Sequence, residues 1–385
     1  MAYIEYYKFK KLYMFTKLFK INIFSLTIIL VLAFSLLNFN VQASESLDLT
    51  VNKRSFNQTK LLLENIKDKD KLKSVSQKLT KNNNDNNRLN SDQKNIKLDF
   101  NLKDKKVKLS KLNDDISISI PEDKEINSVD IINDKVIYSG EQSKSDIIVE
   151  AVDGGVRQVI NIKSKDAPNF YDFKVELKPD YKLSINNDGS AVITKPNPNF
   201  NKKEKINLPK SIDKSTSDLI MSGQTPVISI GKPWAVDANK KDLKTWYTVE
   251  NGNTLRQHIN LENAAFPVVA DPLWCGNAIS TVNWINRDGM WSASNNPTWC
   301  GAWNCAGQWA CWQESFDKTS SCALWSGWTC VNRPWNKQWN TNQYWSMYNQ
   351  FMCHADFPQG FKTPWNIEPA KKDKGYWGFV GSGCN

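Results

Sequence analysis

One histidine, His354, lies beyond residue 274, directly after Cys353 and shortly before Asp356 and Glu368. An imidazole with a carboxylate within reach is the apparatus of general acid–base chemistry, so a small hydrolase using His354 with Glu368 or Asp356 is one reading. The other is a histidine hydrogen-bonded inside a small core, or exposed beside a disulfide. A nucleophilic Cys353–His354 pair does not fit, because sequence neighbours diverge from a helix or a strand. Glu314 and Asp317 stand three apart and would share one face of a helix. The catalytic inventory is thin, and it leaves a non-enzymatic role as the expectation.

The cysteines are more telling. All eight (Cys275, Cys300, Cys305, Cys311, Cys322, Cys330, Cys353 and Cys384) fall after residue 274. An even number packed into a short stretch of an exported chain implies a disulfide framework whose connectivity the spacing alone does not give. No gap between them forms the Cys-x2-Cys knuckle of a zinc site, so no metal and no cofactor are expected. The same block holds most of the tryptophans, more than one small core encloses, because tryptophan is rarely buried completely. Exposed indoles stack on sugar faces and settle at membrane–water interfaces. Trp303, Trp309, Trp312, Trp325 and Trp328 are therefore the candidate ligand-binding aromatics.

Charge narrows the partners. The net +10 divides into +4 over residues 1–43, +2 over 275–385 and +4 scattered between them. There is no basic stripe to follow phosphates, so a nucleic-acid partner is not expected. The small charge of the block also argues against lysis by a cationic amphipathic helix.

The elements that must position these residues read as follows. Residues 1–43 look like a signal peptide: a lysine-bearing start, an apolar run from Ile21 to Leu37, and Val41-Gln42-Ala43 as the cleavage site, with signal peptidase cutting after Ala43. The rival, an uncleaved anchor, has too short and too polar a run. Residues 44–99 are rich in Lys and Asn and read as a linker or propeptide, largely disordered or helical, with one amphipathic helix over Leu61–Leu79. Residues 100–272 change to period two. Ile116–Ile120 alternates, and turns at Asp153-Gly154-Gly155, Asn187-Asp188-Gly189 and Asn251-Gly252-Asn253 separate paired apolar runs. A β-sandwich-like middle domain is expected there, with His258 on its surface. The proline-bracketed stretch Phe266–Trp274 reads equally as an exposed protease site or as the last strand of that domain. Residues 273–385 read as a small disulfide-rich, Trp-rich α+β domain, with a strand pair at Ile279–Ala293 turning at Asp288-Gly289. A helix follows within 335–352, its face set by Tyr344, Trp345, Tyr348, Phe351 and Met352.

Two resemblances follow. Pro233–Ala238, the strand pair Trp246–Ile259 and Phe266–Pro272 resemble a module common in secreted Gram-positive proteins. Further on, Trp284-Ile285-Asn286-Arg287, Pro297-Thr298, Tyr348-Asn349-Gln350-Phe351, Cys353-His354, Trp365-Asn366-Ile367-Glu368-Pro369 and Cys384-Asn385 resemble an uncharacterised secreted bacterial domain family. That family brings no activity to carry over, but its matching ends imply a Cys353–Cys384 disulfide. The segment between Trp299 and Cys330 departs from its pattern. The overall layout is similar to clostridial bacteriocin precursors that release a C-terminal antibacterial fragment. A secreted, extracellular protein is expected, bacteriocin-like, acting on a glycan or membrane component of other bacterial envelopes, with release by an extracellular protease an option. A non-toxic cell-wall or carbohydrate-binding module is the alternative. Oligomeric state is left open.

Overall fold

The computed structural model describes residues 76–111, 114–140, 142–197, 214–287, 289–305, 309–319, 341–356 and 363–384. The expected signal peptide with its cleavage position at Ala43, most of the helix expected over Leu61–Leu79, and the residues Cys322, Trp325, Trp328 and Cys330 lie outside them. The fold is α+β and mostly β.

Strands begin earlier than the composition suggests. β1 (Thr80–Asn82), β2 (Asp85–Asp92) and β3 (Lys97–Asn101) form an antiparallel meander with β4 (Lys106–Lys111) and β5 (Asp114–Ser119). The stretch 76–99, expected as a linker or propeptide, is therefore folded, and the β-rich region starts near residue 80 rather than 100. Its apolar content is low, yet Leu89, Leu98 and Phe100 sit at period two and are buried. Few large side chains in register are enough when a strand is paired on both edges, as β2 and β3 are.

β6 (Ser128–Ile132), β7 (Lys135–Ser139), β8 (Ser145–Val152) and β9 (Gly155–Ile162) run as consecutive antiparallel neighbours. β10 (Phe170–Glu176) returns to pair β5 and is followed by the hairpin β11 (Lys182–Ile185) and β12 (Ala191–Pro196). Helix α1 (Lys214–Met221) precedes β13 (Gln224–Ile230), β14 (Trp234–Val236), the hairpin β15 (Thr245–Glu250) and β16 (Thr254–Ile259), then β17 (Val268–Asp271) and β18 (Leu273–Cys275). Among the described residues these strands make two large sheets. One runs β1-β2-β3-β4-β5-β10-β16-β15; the other runs β11-β12-β13-β18-β9-β8-β7-β6, with β17 joining β9 to β14. A single apolar core draws on both, including Phe100, Val107, Ile118 and Phe173 from the first and Val149, Ile160, Ile193 and Trp274 from the second.

The Phe266–Trp274 stretch is not an exposed cleavage site. β17 is buried along its length, and β18 lies between β13 and β9 in the interior of the second sheet. A protease needs an extended substrate free of its neighbours, so cutting here requires removing a central strand.

After β18 come the hairpin β19 (Ile279–Arg287) and β20 (Met290–Pro297), helices α2 (Trp299–Asn304), α3 (Trp309–Thr319) and α4 (Thr341–Asp356), strand β21 (Trp365–Ile367) and helix α5 (Gly375–Val380). β21 adds to β20 and completes a three-stranded sheet. This block is not a separate bead after residue 273. Cys275 of β18 is disulfide-bonded to Cys300 of α2. The amide of Cys300 donates to the Asp153 carbonyl at 2.9 Å, and that of Trp299 donates to the Asp153 carboxylate at 3.1 Å. The β8–β9 turn is the cradle for this contact. Gly154 has φ +90°, and a side chain at Gly155 would begin 2.0 Å from the Trp274 carbonyl oxygen. Glycine at both positions lets the two regions touch through their backbones. Beside this cradle Asn304 donates to Ser229 at 3.0 Å.

Candidate functional site

The core of the C-terminal block is aromatic. Trp312 and Phe316 lie one turn apart on α3 and meet Tyr344, Tyr348 and Phe351 of α4, with ring centroids 5.3 Å apart for Trp312–Tyr344 and 4.8 Å for Phe316–Tyr344. Phe351 continues the chain of edge-to-face contacts to Trp365 of β21 at 5.3 Å. Such contacts add about 0.5–1.5 kcal/mol per pair to the burial itself. Of the candidate ligand-binding aromatics, Trp309 and Trp312 are buried in this core, so they are corrected to structural residues; Trp303 is half-buried. Trp309, Trp312 and Phe316 stand at i, i+3 and i+7, the spacing of one helical face, and that was the available signal for these indoles turning inward.

The acid–base candidates are engaged in holding the same unit together. His354, buried in the last turns of α4, has its Nε2 at 3.1 Å from the carbonyl oxygen of Asn366. A carbonyl only accepts, so Nε2 carries the proton and the ring ties α4 to β21. Glu368 is also buried: Oε1 accepts from the Ser292 hydroxyl at 2.9 Å, and Oε2 lies 3.1 Å from Lys371 Nζ. Gln350 of α4 holds the Glu368 backbone at both ends, accepting its amide at 2.9 Å and donating to its carbonyl at 3.0 Å. Asp356 accepts from the Tyr376 hydroxyl at 2.5 Å, and burial followed by that carboxylate pushes the phenol above its ordinary range. His354 thus reaches β21, Glu368 just beyond that strand reaches β20 through Ser292, and Asp356 faces α5 instead. Each makes a bond that fixes one element to another.

Glu314 and Asp317 are bound to different partners, and burial, opposed by the bond from Gln313 and reinforced by the Glu314 charge, raises the Asp317 pKa to about 7. Asp317 accepts from Gln313 at 2.8 Å. Glu314 reaches back across the junction, where it accepts the Ala278 amide at 2.8 Å and meets Lys318 at 2.8 Å and Lys111 of β4 at 3.1 Å. Burial raises its pKa, but Lys111, Lys318 and the amide outweigh that and hold it below the usual carboxylate range. Among the described residues no three of His, Cys, Asp and Glu converge as a metal site would require.

What the block presents outward is a different tryptophan. Cys353 of α4 and Cys384 are disulfide-bonded, and Cys305 is bonded to Cys311 at the α2–α3 connection. The first bond pins α5 against α4, where Phe379 is buried beside the two sulfurs. One residue pair earlier, Trp377 is 75 % exposed, its ring edge-on to Tyr376 with centroids 5.1 Å apart. Neither cysteine spacing nor helical periodicity sets it apart in the sequence.

Residues 279–385 match a family model described as protein of unknown function (DUF2599). The match covers β19 through the C-terminus, including the aromatic core, the Cys353–Cys384 bond and Trp377. No curated protein gives a significant match to the chain.

Proposed function

We propose that this is a secreted protein that engages the envelope of other bacteria through surface tryptophan, in a bacteriocin-like manner and without catalysis. The observation that carries the reading is Trp377. The block buries Trp309, Trp312, Trp345 and Trp365, yet leaves this indole outside on a disulfide-pinned helix. A held, exposed indole is well suited to stacking on a glycan or seating at a lipid interface, because little side-chain entropy is lost on contact. The acid–base groups, each occupied in a structural bond, support binding over hydrolysis. Export through a cleaved signal peptide from a Gram-positive producer fits the disulfides of the block.

The active form in this reading is the intact mature chain. The two large sheets serve as a β-sandwich-like scaffold for the block, and the buried position of β17 and β18 leaves no site for trimming near residue 270. The test is co-sedimentation of the purified chain with cells of related bacteria, together with spotting on their lawns. The wild-type chain should sediment and inhibit growth. Trp377→Ala should weaken binding at least about tenfold with unchanged thermal stability, as loss of an interface tryptophan does. A wild-type chain that stays in solution, or a variant that sediments equally well, would overturn the proposal.

A further inference from the structure

The first sheet carries a second aromatic surface, far along the sequence from the DUF2599 match and independent of the proposal above. β15, β16 and β10 are adjacent, and their registers place Trp246 opposite His258 and His258 opposite Phe170. The alternate residues Tyr247, Gln257 and Tyr171 point into the protein and are buried, so the three rings form one row across the outer face. Trp246 is 42 % and Phe170 38 % exposed. The Trp246 and His258 rings are stacked with centroids 5.0 Å apart and 6° between planes, and Phe170 lies 6.3 Å from His258.

The next row on the same face is polar and fixed. Arg256 holds Asp172 through two bonds of 2.7 and 2.8 Å, and Thr248 is 2.9 Å from His258 Nε2. At the Phe170 end a cavity of about 330 Å³ opens, walled by Pro121, Ile126, Ile147 and Pro168, with Tyr171 bonded to Ser145 at 2.9 Å. The row, the polar pair and the cavity run together, because Phe170 and Asp172 belong to both.

We infer that this face binds an uncharged oligosaccharide. Sugars offer an apolar C–H face for an aromatic ring and vicinal hydroxyls that suit a fixed Arg–Asp pair, which supplies donors and acceptors side by side. A cationic ligand would meet like charge beside both rings, with Arg256 4.1 Å from the Phe170 centroid and Lys244 5.5 Å from that of Trp246. Arg256 and Lys174 offer an anion no uncompensated charge, since Arg256 is matched by Asp172 and Lys174 by Glu122 at 2.6 Å. An anionic lipid surface would meet Glu122, Asp172 and Glu250 along the same face.

The test is isothermal titration of the full chain with chitotetraose and with cellotetraose, as uncharged probes with and without N-acetyl groups. Saturable binding to at least one is expected. Trp246→Ala should weaken it at least about tenfold, and Trp246→Phe should restore much of the loss. Because Trp246 and Phe170 are exposed, their removal should leave the fold intact, and Phe170→Ala provides a second variant with the same expected loss. Absence of binding to both probes, or equal binding by Trp246→Ala, overturns the assignment. So does Trp246-dependent binding to phosphatidylcholine vesicles with none to the sugars.

Discussion

Among single residues, Asp271 makes the sharpest thermodynamic statement. It ends β17 in the buried interior, 3.9 Å from Arg157 Nε, while Arg157 gives its closer bond, 2.6 Å, to Glu150. Burial, with Arg157 opposing and Glu150 reinforcing it, lifts the Asp271 pKa to about 7. A carboxyl raised on folding binds its proton more tightly in the native state, so its contribution is complete at low pH and is lost as pH rises from about 4 toward 7. Chemical denaturation across that range should therefore show Asp271→Asn gaining on the wild type by up to a few kcal/mol and levelling above pH 7. A constant difference at every pH would mean that Asp271 does not change its proton on folding. His354 illustrates the same principle with an opposite outcome for function. A histidine beside a cysteine suggests chemistry, yet its burial and its bond to the Asn366 carbonyl make it a tie between helix and strand.

At the scale of elements, the joint between β8–β9, β18 and α2 decides how the two regions cooperate. Gly155→Ala would place a methyl group against the Trp274 carbonyl oxygen and 2.9 Å from the Cys300 sulfur. Neither neighbour can move without shifting a strand or the disulfide, so a loss of about 1–3 kcal/mol is expected in thermal unfolding, as for other overpacked sites. An unchanged melting temperature would show that the joint is loose. Much of this architecture was legible in the sequence. The three glycine turns, the paired apolar runs beside them, the Ile279–Ala293 hairpin and the helical face of Tyr344–Met352 all appear as read, because each is a local pattern of period or turn chemistry. The strands of 80–101 were missed because their outward positions are Lys, Asn and Asp and their inward ones are few. The choice between strand and cleavage site at Phe266–Trp274 was equally invisible locally, since it depends on which strands flank the segment. The candidate site followed the same division: the sequence located the tryptophans and cysteines, but only packing separates the buried Trp312 from the exposed Trp377.

For the whole molecule, the described residues belong to one body, in which the block matching DUF2599 is attached to the sheets by a disulfide, a backbone cradle and the Glu314 ion cluster. Under the proposed function, such a joint favours action as a single chain that carries both Trp377 on the block and the Trp246 row on the first sheet. Two weak contacts on one rigid frame gain from effective concentration, which separate fragments would forfeit. The deciding measurement is to separate the protein of a producer-culture supernatant by size, bind each fraction to cells of related bacteria, and identify the bound species by mass spectrometry. The bound species should be one chain that includes both the β-rich region and the block. Envelope binding confined to a fragment that begins near residue 274 would contradict it.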